Sequence, residues 1–383
     1  MPQEVSRIEG ERIVRDAARL LSGEAPRGEV LHPEQVAGLL IHHNLGALGS
    51  YLAGRQTYWR HALAGEPLRL LDQTVLHAKI RRHMVIVALA DALELLHDFK
   101  PVLFKGLAVA ELYPVPHLRD PGDLDILLSA GSFTDAAARL TEAGWRLQPT
   151  IHRDRPVAVA QRYGFAQVFR HPVRPVVLDL HRDPIDRTEA FWINPADLLT
   201  TTRRLDLAEG VHLSTLTPAR HLALIALHSV RHGSYRLLWS YDVHRACLGW
   251  RDAIDPDDFA AFCSRWRITC AVHVGLEVAR QLFGTPWHPL ESKPTAKAVV
   301  RAAARRGPYV IARGHLTRRG GWRRIGAMLD LLEHPADRAR YLLRTLFPPR
   351  DLFATVYRGR PGWWEYWVGR LRAASQAAVG KQT

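Results

Sequence analysis

A chain of 383 residues exceeds one ordinary hydrophobic core, so two or three domains are expected. An apolar fraction of 47% is that of a globular protein and argues against a disordered or fibrous chain. The formal charge of +14 favours anionic partners such as nucleotides, nucleic acid, acidic peptides or an anionic membrane, and is equally what a general enrichment in arginine would give. The three cysteines, Cys247, Cys263 and Cys270, form no C-x-x-C pair, so neither a zinc ribbon nor a redox pair is indicated. So sparse a set fits a reducing, cytoplasmic setting. The amino terminus shows no apolar signal core. The longest apolar run, Met84 to Leu96, contains Asp91 and Glu94 and is too short to span a bilayer, so no transmembrane segment is expected.

Residues 1–99 read as helical. Ile8, Ile13, Val14, Ala17, Leu20 and Leu21 recur at helical spacing. His32-Pro33-Glu34 suits a helix start, with proline in the first turn, and that helix is expected to run to about Leu52. The segment GRQTYWRHALAGEP reads as a short helix or a loop, and Leu68 to His97 as one long helix. No catalytic constellation stands out here, and His42, His43 and Asn44 read first as solvated helix positions, with lining a site as the alternative.

The pattern changes at Lys100. Short strands are expected at Val102–Phe104, Asp123–Leu128, Trp145–Leu147, Tyr163–Arg170 and Pro175–His181, the last two joined as a hairpin. Short helices are expected from Gly106 to Leu112 and from an N-cap at Ser132 to about Leu140. From Pro195 the chain reads as helical again, with one short exception at Val211–Ser214. Helices are expected at Pro218–His232 and Tyr235–Leu248, at Phe259–Trp266 behind an Asp255 cap, and at 269–283, 294–305, 324–345 and 361–375, with Ala377 to Thr383 frayed. The fold class is therefore α+β: a small mixed β-sheet core at 100–215 between a helical region at 1–99 and a helical domain at 216–383.

The chemistry concentrates in Val102–Leu128. Residues i and i+2 of a strand share a face, so Asp123 and Asp125 project together. Each raises the cost of ionising the other, and a hard divalent cation such as Mg²⁺ removes that cost. The strand Val176–His181 turns Asp179 and His181 to one side and aliphatic residues to the other. Placed beside Asp123–Leu128, it would bring three carboxylates together. Two could hold a metal that chelates a triphosphate, and the third could orient or deprotonate a hydroxyl. Asp179 is also open to plain pairing with an arginine. Lys105-Gly106 stands where a strand turns into a helix, a place where backbone N–H groups favour anions. The Walker A spacing is absent, and a surface lysine beside a plain turn is the alternative. The run from Pro361 to Trp367, followed by Arg370 and Arg372, is aromatic and basic and reads as a docking helix, with a membrane surface or nucleobase stacking as alternatives.

Phe104-Lys105-Gly106, Tyr113, Arg119, the run Gly122-Asp-Leu-Asp-Ile-Leu-Leu128 and the later Leu178-Asp-Leu-His181 together resemble the uncharacterised nucleotidyltransferase family of the DNA polymerase β-like superfamily. The resemblance is sharp over 102–128 and 176–183 and looser over 222–248. It implies a small mixed nucleotidyltransferase sheet that transfers NMP from an NTP to a hydroxyl with Mg²⁺, Mn²⁺ being an alternative. It places the metal ligands and catalytic carboxylates at Asp123, Asp125 and Asp179. Nucleotide contacts would come from Lys105, Gly106, Arg119, Arg231 and Asp242, with Arg119 equally open to pairing with Asp120 or another carboxylate. Lys105-Gly106 departs from the Gly-Ser usual in the superfamily. The expected partners are an NTP, with ATP the default, and an unidentified hydroxyl acceptor on a small molecule, peptide or protein; nucleic acid is disfavoured. Kinase-like phosphoryl transfer and a non-catalytic nucleotide-binding adaptor are the competing readings.

Overall fold

The computed structural model describes residues 7–148, 162–163, 166–187, 189–207, 210–292, 297–304, 311, 321–347, 349, 362, 364–365 and 367–368. Helices Arg7–Ser22, Pro33–His42, Gly46–Arg55, Thr57–Ala62 and Glu66–Leu96 precede the first strand. The first buries Ile13, Val14, Ala17, Leu20 and Leu21 of the stripe its spacing predicts, while Ile8, in the first turn, is exposed. The single helix expected from His32 to Leu52 is two helices. The chain breaks at Asn44, whose φ of 58° is left-handed, a conformation asparagine tolerates better than most residues. The ambiguous segment after Arg55 does form a helix, Thr57–Ala62, anchored by the fully buried Trp59.

Among the described residues seven strands follow: β1 Val102–Leu103, β2 Leu124–Leu127, β3 Arg146–Leu147, β4 Gln167–Arg170, β5 Val177–His181, β6 Thr202–Asp206 and β7 His212–Leu216. They form one mixed sheet in the order β3-β4-β5-β2-β1-β7-β6. The pairs β2–β5 and β1–β7 are parallel and the others antiparallel. The expected hairpin is present as β4–β5, with Arg170 opposite Val177. Two local expectations fail. The stretch after Pro195 is helical only to Leu199 and then gives the edge strand β6, whose polar Thr-Arg-Arg-Leu-Asp sequence hides a strand that buries little. Ser132 precedes helix Phe133–Glu142 as expected, but its hydroxyl meets Ser129 Oγ at 2.8 Å and caps no helix N–H.

Strand alternation sorts the two faces of the sheet. Leu124 and Ile126 of β2, with Leu178 and Leu180 of β5, join Leu89, Leu96, Phe133 and Leu140 in one apolar cluster. The alternate positions Asp125, Asp179 and His181 therefore face the opposite side. A second, larger cluster joins the N-terminal helices to Pro218–Arg231, Leu237–Gly249, Pro256–Arg265 and Thr269–Phe283. Asp255 caps the third of these through bonds from the Asp257 and Asp258 N–H groups. Helices Pro218–Arg231 and Thr269–Phe283 cross closely, because a Cβ on Gly275 would sit 2.7 Å from the Ala226 carbonyl oxygen. The helix expected at 324–345 is two, Gly321–Leu329 and Pro335–Leu346, divided before Pro335. That proline opens the second helix and cannot donate to the first. Of the helix expected at 294–305, Lys297–Ala304 is described. The aromatic helix expected at 361–375 lies, apart from a few positions, outside the described residues, as do 377–383. Among the described residues no helix is long and apolar enough to cross a membrane.

Candidate active site

Strand pairing does most of the work of building the site. In the parallel β2–β5 ladder Asp125 lies directly opposite Asp179, and Leu127 opposite His181. The donor atoms of Asp125, Asp179 and His181 all fall within 4.8 Å of one another. Asp123 stands one residue before β2 and two before Asp125, half-buried at the mouth of the same group. The bonds from β1 complete the frame, since the Phe104 N–H donates to the Asp125 carbonyl at 3.1 Å.

Lys105 directly follows β1 and its following Phe104. Its backbone holds φ 59° and ψ −137°, a region costly for a residue with a Cβ. Its N–H donates to His221 Nε2 at 2.8 Å, which fixes that imidazole as the tautomer protonated at Nδ1. Burial lowers the His221 pKa to about 3, so the ring stays a neutral acceptor. The turn aims the lysine side chain back at the sheet. Lys105 Nζ donates to Asp125 Oδ1 at 2.8 Å, and His181 Nε2 lies 2.9 Å from the same oxygen. The lysine is therefore a partner of the carboxylates and not a free surface residue.

The three carboxyl groups are driven apart in acidity. Burial alone would raise Asp125, but Lys105 and His181 outweigh it and hold Asp125 well below the usual carboxylate range. Asp123 rises to about 6, chiefly through repulsion from Asp125, then through burial. Asp179 rises to about 8 through burial first, then through Asp125 and Asp123. Burial, then Lys105, lowers the pKa of His181. One carboxylate is thus ionised and two resist ionisation for lack of positive charge, which is the condition a divalent cation relieves. Two carboxylate oxygens and one imidazole nitrogen, converging from adjacent strands, are a donor set that fits such an ion.

The other expected contacts resolve into pairs. Arg119 donates to both Asp242 oxygens, at 2.9 and 2.8 Å, and the Tyr113 hydroxyl adds a bond of 2.7 Å to Asp242 Oδ1. Arg119 and Asp242 are both buried. Burial would lower the arginine pKa, but Asp242 more than offsets this and keeps Arg119 charged. Asp120 pairs instead with Arg81, at 3.4 Å. Arg231 is held by Glu189 at 2.7 Å. Gly106 opens a helix of only five residues, and its bare Cα makes room for the Arg119 guanidinium, since a Cβ there would lie 3.3 Å from Nη1.

All eight expected site residues line one cleft of about 510 Å³ between the sheet and the C-terminal helices. The wall also carries His181, Asn44, Arg236 and Trp239, none of them an expected site residue. The Asp-Leu-His spacing of β5 was the available signal for His181. His43 and Asn44 were read as solvated, yet His43 is buried and accepts the Leu237 N–H at Nδ1, 3.3 Å away. That contact spans 194 residues, and local spacing carries no trace of it. No curated protein matches the chain. A family described as uncharacterised nucleotidyltransferase matches residues 31–284, which take in the whole sheet, the converging carboxylates and the helices that wall the cleft. The chain belongs to this family of transferases of phosphorus-containing groups.

Proposed function

We propose that the protein moves an NMP group from an NTP, with ATP the default, to a hydroxyl of a small molecule, peptide or protein and releases pyrophosphate. The observation that carries this reading is the convergence of Asp125, Asp179 and His181, beside Asp123, on the floor of a cleft of about 510 Å³. These residues would hold Mg²⁺, or Mn²⁺, which the imidazole nitrogen also suits. When bound, the ion would offset the negative charge of the triphosphate and of the leaving pyrophosphate.

The chain's own groups supply the rest. Asp125 stays ionised and anchors the cation site. With a cation held at Asp125, Lys105 would be free to turn from that carboxylate to the phosphates. The hydroxyl oxygen of the acceptor forms a bond to the α-phosphorus as the bond to the β-phosphate oxygen breaks. The hydroxyl proton passes to a carboxylate oxygen of Asp179, a group that a cation held beside it would keep ionised and so able to accept the proton. The paired Arg119 and Asp242 position the β2 approach and Gly106. Arg231, neutralised by Glu189, walls the acceptor side.

Labelled ATP tests the reading. Incubation with Mg²⁺ and a lysate of candidate acceptors should leave the α-label on a product and release the γ-label as pyrophosphate, and Asp125→Asn should abolish this. A product carrying only the γ-label would establish phosphoryl transfer instead. Binding of ATP without any labelled product across small-molecule, peptide and protein acceptors would favour the adaptor.

A further inference from the structure

Four cationic side chains line the cleft: Lys105, Arg119, Arg231 and Arg236. The first three are each paired with a carboxylate: Lys105 with Asp125, Arg119 with Asp242 and Arg231 with Glu189. Arg236 is different. Among the described residues no carboxylate lies within ion-pair distance of it, and its guanidinium carbon stands 5.8 Å from the Trp239 ring centre. An arginine without an ion-pair partner on the wall of a cleft leaves its planar fork of donors open to an anionic ligand.

Its neighbourhood is built rather than loose. Arg236 immediately precedes helix Leu237–Gly249, and the first N–H of that helix is held by His43 Nδ1 at 3.3 Å. The residue after His43 is Asn44, which lines the same cleft with a left-handed φ of 58°. Its side-chain amide bonds to nothing among the described residues. The His43–Leu237 contact therefore clasps two distant segments so that one unpartnered cation and one unpartnered amide flank it on the cleft wall. Arg236 shares this lining with Asp123 and Asp125, so it faces the same cleft as the carboxylate end.

We propose that Arg236, assisted by Asn44, is the side chain that binds the phosphates of the nucleotide, in place of the already neutralised Arg119 and Arg231. A guanidinium presents a planar fork of donors that matches phosphate oxygens, and it needs no carboxylate to be displaced first. The binding site is then joint property of the sheet, the N-terminal helical region and the C-terminal helices. The assignment rests on the nucleotidyl-transfer reading for the identity of the ligand, while its chemistry is that of any triphosphate.

Calorimetry with inorganic tripolyphosphate tests it in the full-length protein, without added metal. Wild type should bind. Arg236→Ala should weaken binding about ten- to a hundredfold, the range for a charged hydrogen bond. Arg236→Lys should fall between, and Asn44→Gly, which keeps the left-handed backbone, should weaken binding a few-fold. Arg251→Ala removes the same charge outside the cleft and should bind as wild type does. Unchanged melting temperatures would confirm that Arg236→Ala is folded, as expected for a side chain with no ion-pair partner. Binding by Arg236→Ala equal to that by Arg251→Ala overturns the proposal, and so does a wild type that binds no tripolyphosphate. Arg236-dependent tripolyphosphate binding in a protein that transfers no NMP would leave the proposal standing and defeat nucleotidyl transfer instead.

Discussion

Asp179 carries a proton at neutral pH in the metal-free protein, because burial and then the charges of Asp125 and Asp123 raise its pKa from 3.8 to about 8. A carboxyl raised on folding binds more protons in the native than in the unfolded state between those values. Stability from this group is therefore present below about pH 4 and is lost as pH rises through about 8. Asp123, raised to about 6, adds a smaller loss of the same sign. A divalent cation reverses the effect by stabilising the ionised forms. The increase in melting temperature on adding Mn²⁺ should accordingly be larger at pH 8 than at pH 6, and Asp179→Asn should remove most of the difference. A Mn²⁺ shift independent of pH would mean that the ion binds elsewhere. Lys105 belongs to the same balance, because its ammonium is the positive charge that Asp125 has in the absence of metal. Lys105→Met leaves a buried carboxylate with weakened compensation, which costs on the order of 3–5 kcal/mol when a buried pair is broken. The variant should melt lower than wild type without metal and regain more stability than wild type with Mn²⁺. A variant as stable as wild type in chelator would show that the lysine is not the counter-ion of Asp125.

At the scale of elements, the Arg119–Asp242–Tyr113 network ties the segment entering β2 to helix Leu237–Gly249 across more than a hundred residues of sequence. Both ions are buried, so removing one strands the other. Asp242→Ala should destabilise by about 3–5 kcal/mol in urea unfolding, whereas the double change Arg119→Met with Asp242→Leu should cost less than the single one. A loss under about 1 kcal/mol for Asp242→Ala would remove the network from the list of stabilising contacts. These pairings also mark what the sequence could and could not disclose. Alternation on β2 and β5 was legible because it is local: Asp123, Asp125, Asp179 and His181 sit at spacings of two. The Asp255 cap and the Pro218 helix start were legible for the same reason, whereas the helix start at Pro335 was passed over inside one longer expected helix. Edge strand β6 was not, because Thr-Arg-Arg-Leu-Asp buries only Leu205 and so shows no clear apolar alternation. Arg119, Arg231 and Asp242 line the cleft, but their spacing says nothing of which charge each one meets.

For the whole molecule, the consequential fact is that the first and last helical regions share one core. Helix Arg7–Ser22 packs on Thr269–Phe283, with Ile13, Val14, Leu20 and Leu21 buried. Polar bonds reinforce the seam: Ser22 Oγ donates to the Phe283 carbonyl at 3.3 Å and the Tyr241 hydroxyl to the Leu21 carbonyl at 3.4 Å. The cleft depends on this packing, since Asn44 reaches it from the N-terminal helices and Arg236 from the C-terminal ones. The segment matched by the family starts only at residue 31, so the first helix lies outside it. A chain beginning at Leu31 tests whether that helix is an appendage. Each large apolar side chain it buries is worth about 1.5–3 kcal/mol, so four of them give roughly 6–12 kcal/mol as an upper bound. That is comparable with the whole stability of a typical protein, about 5–15 kcal/mol. The shortened chain should therefore lose the cooperative melting transition, and with it tripolyphosphate binding, although Asp123, Asp125, Asp179 and Arg236 are all retained. If it instead melts within a few degrees of the full-length protein by circular dichroism, the first helix is an appendage and the cleft is held without it.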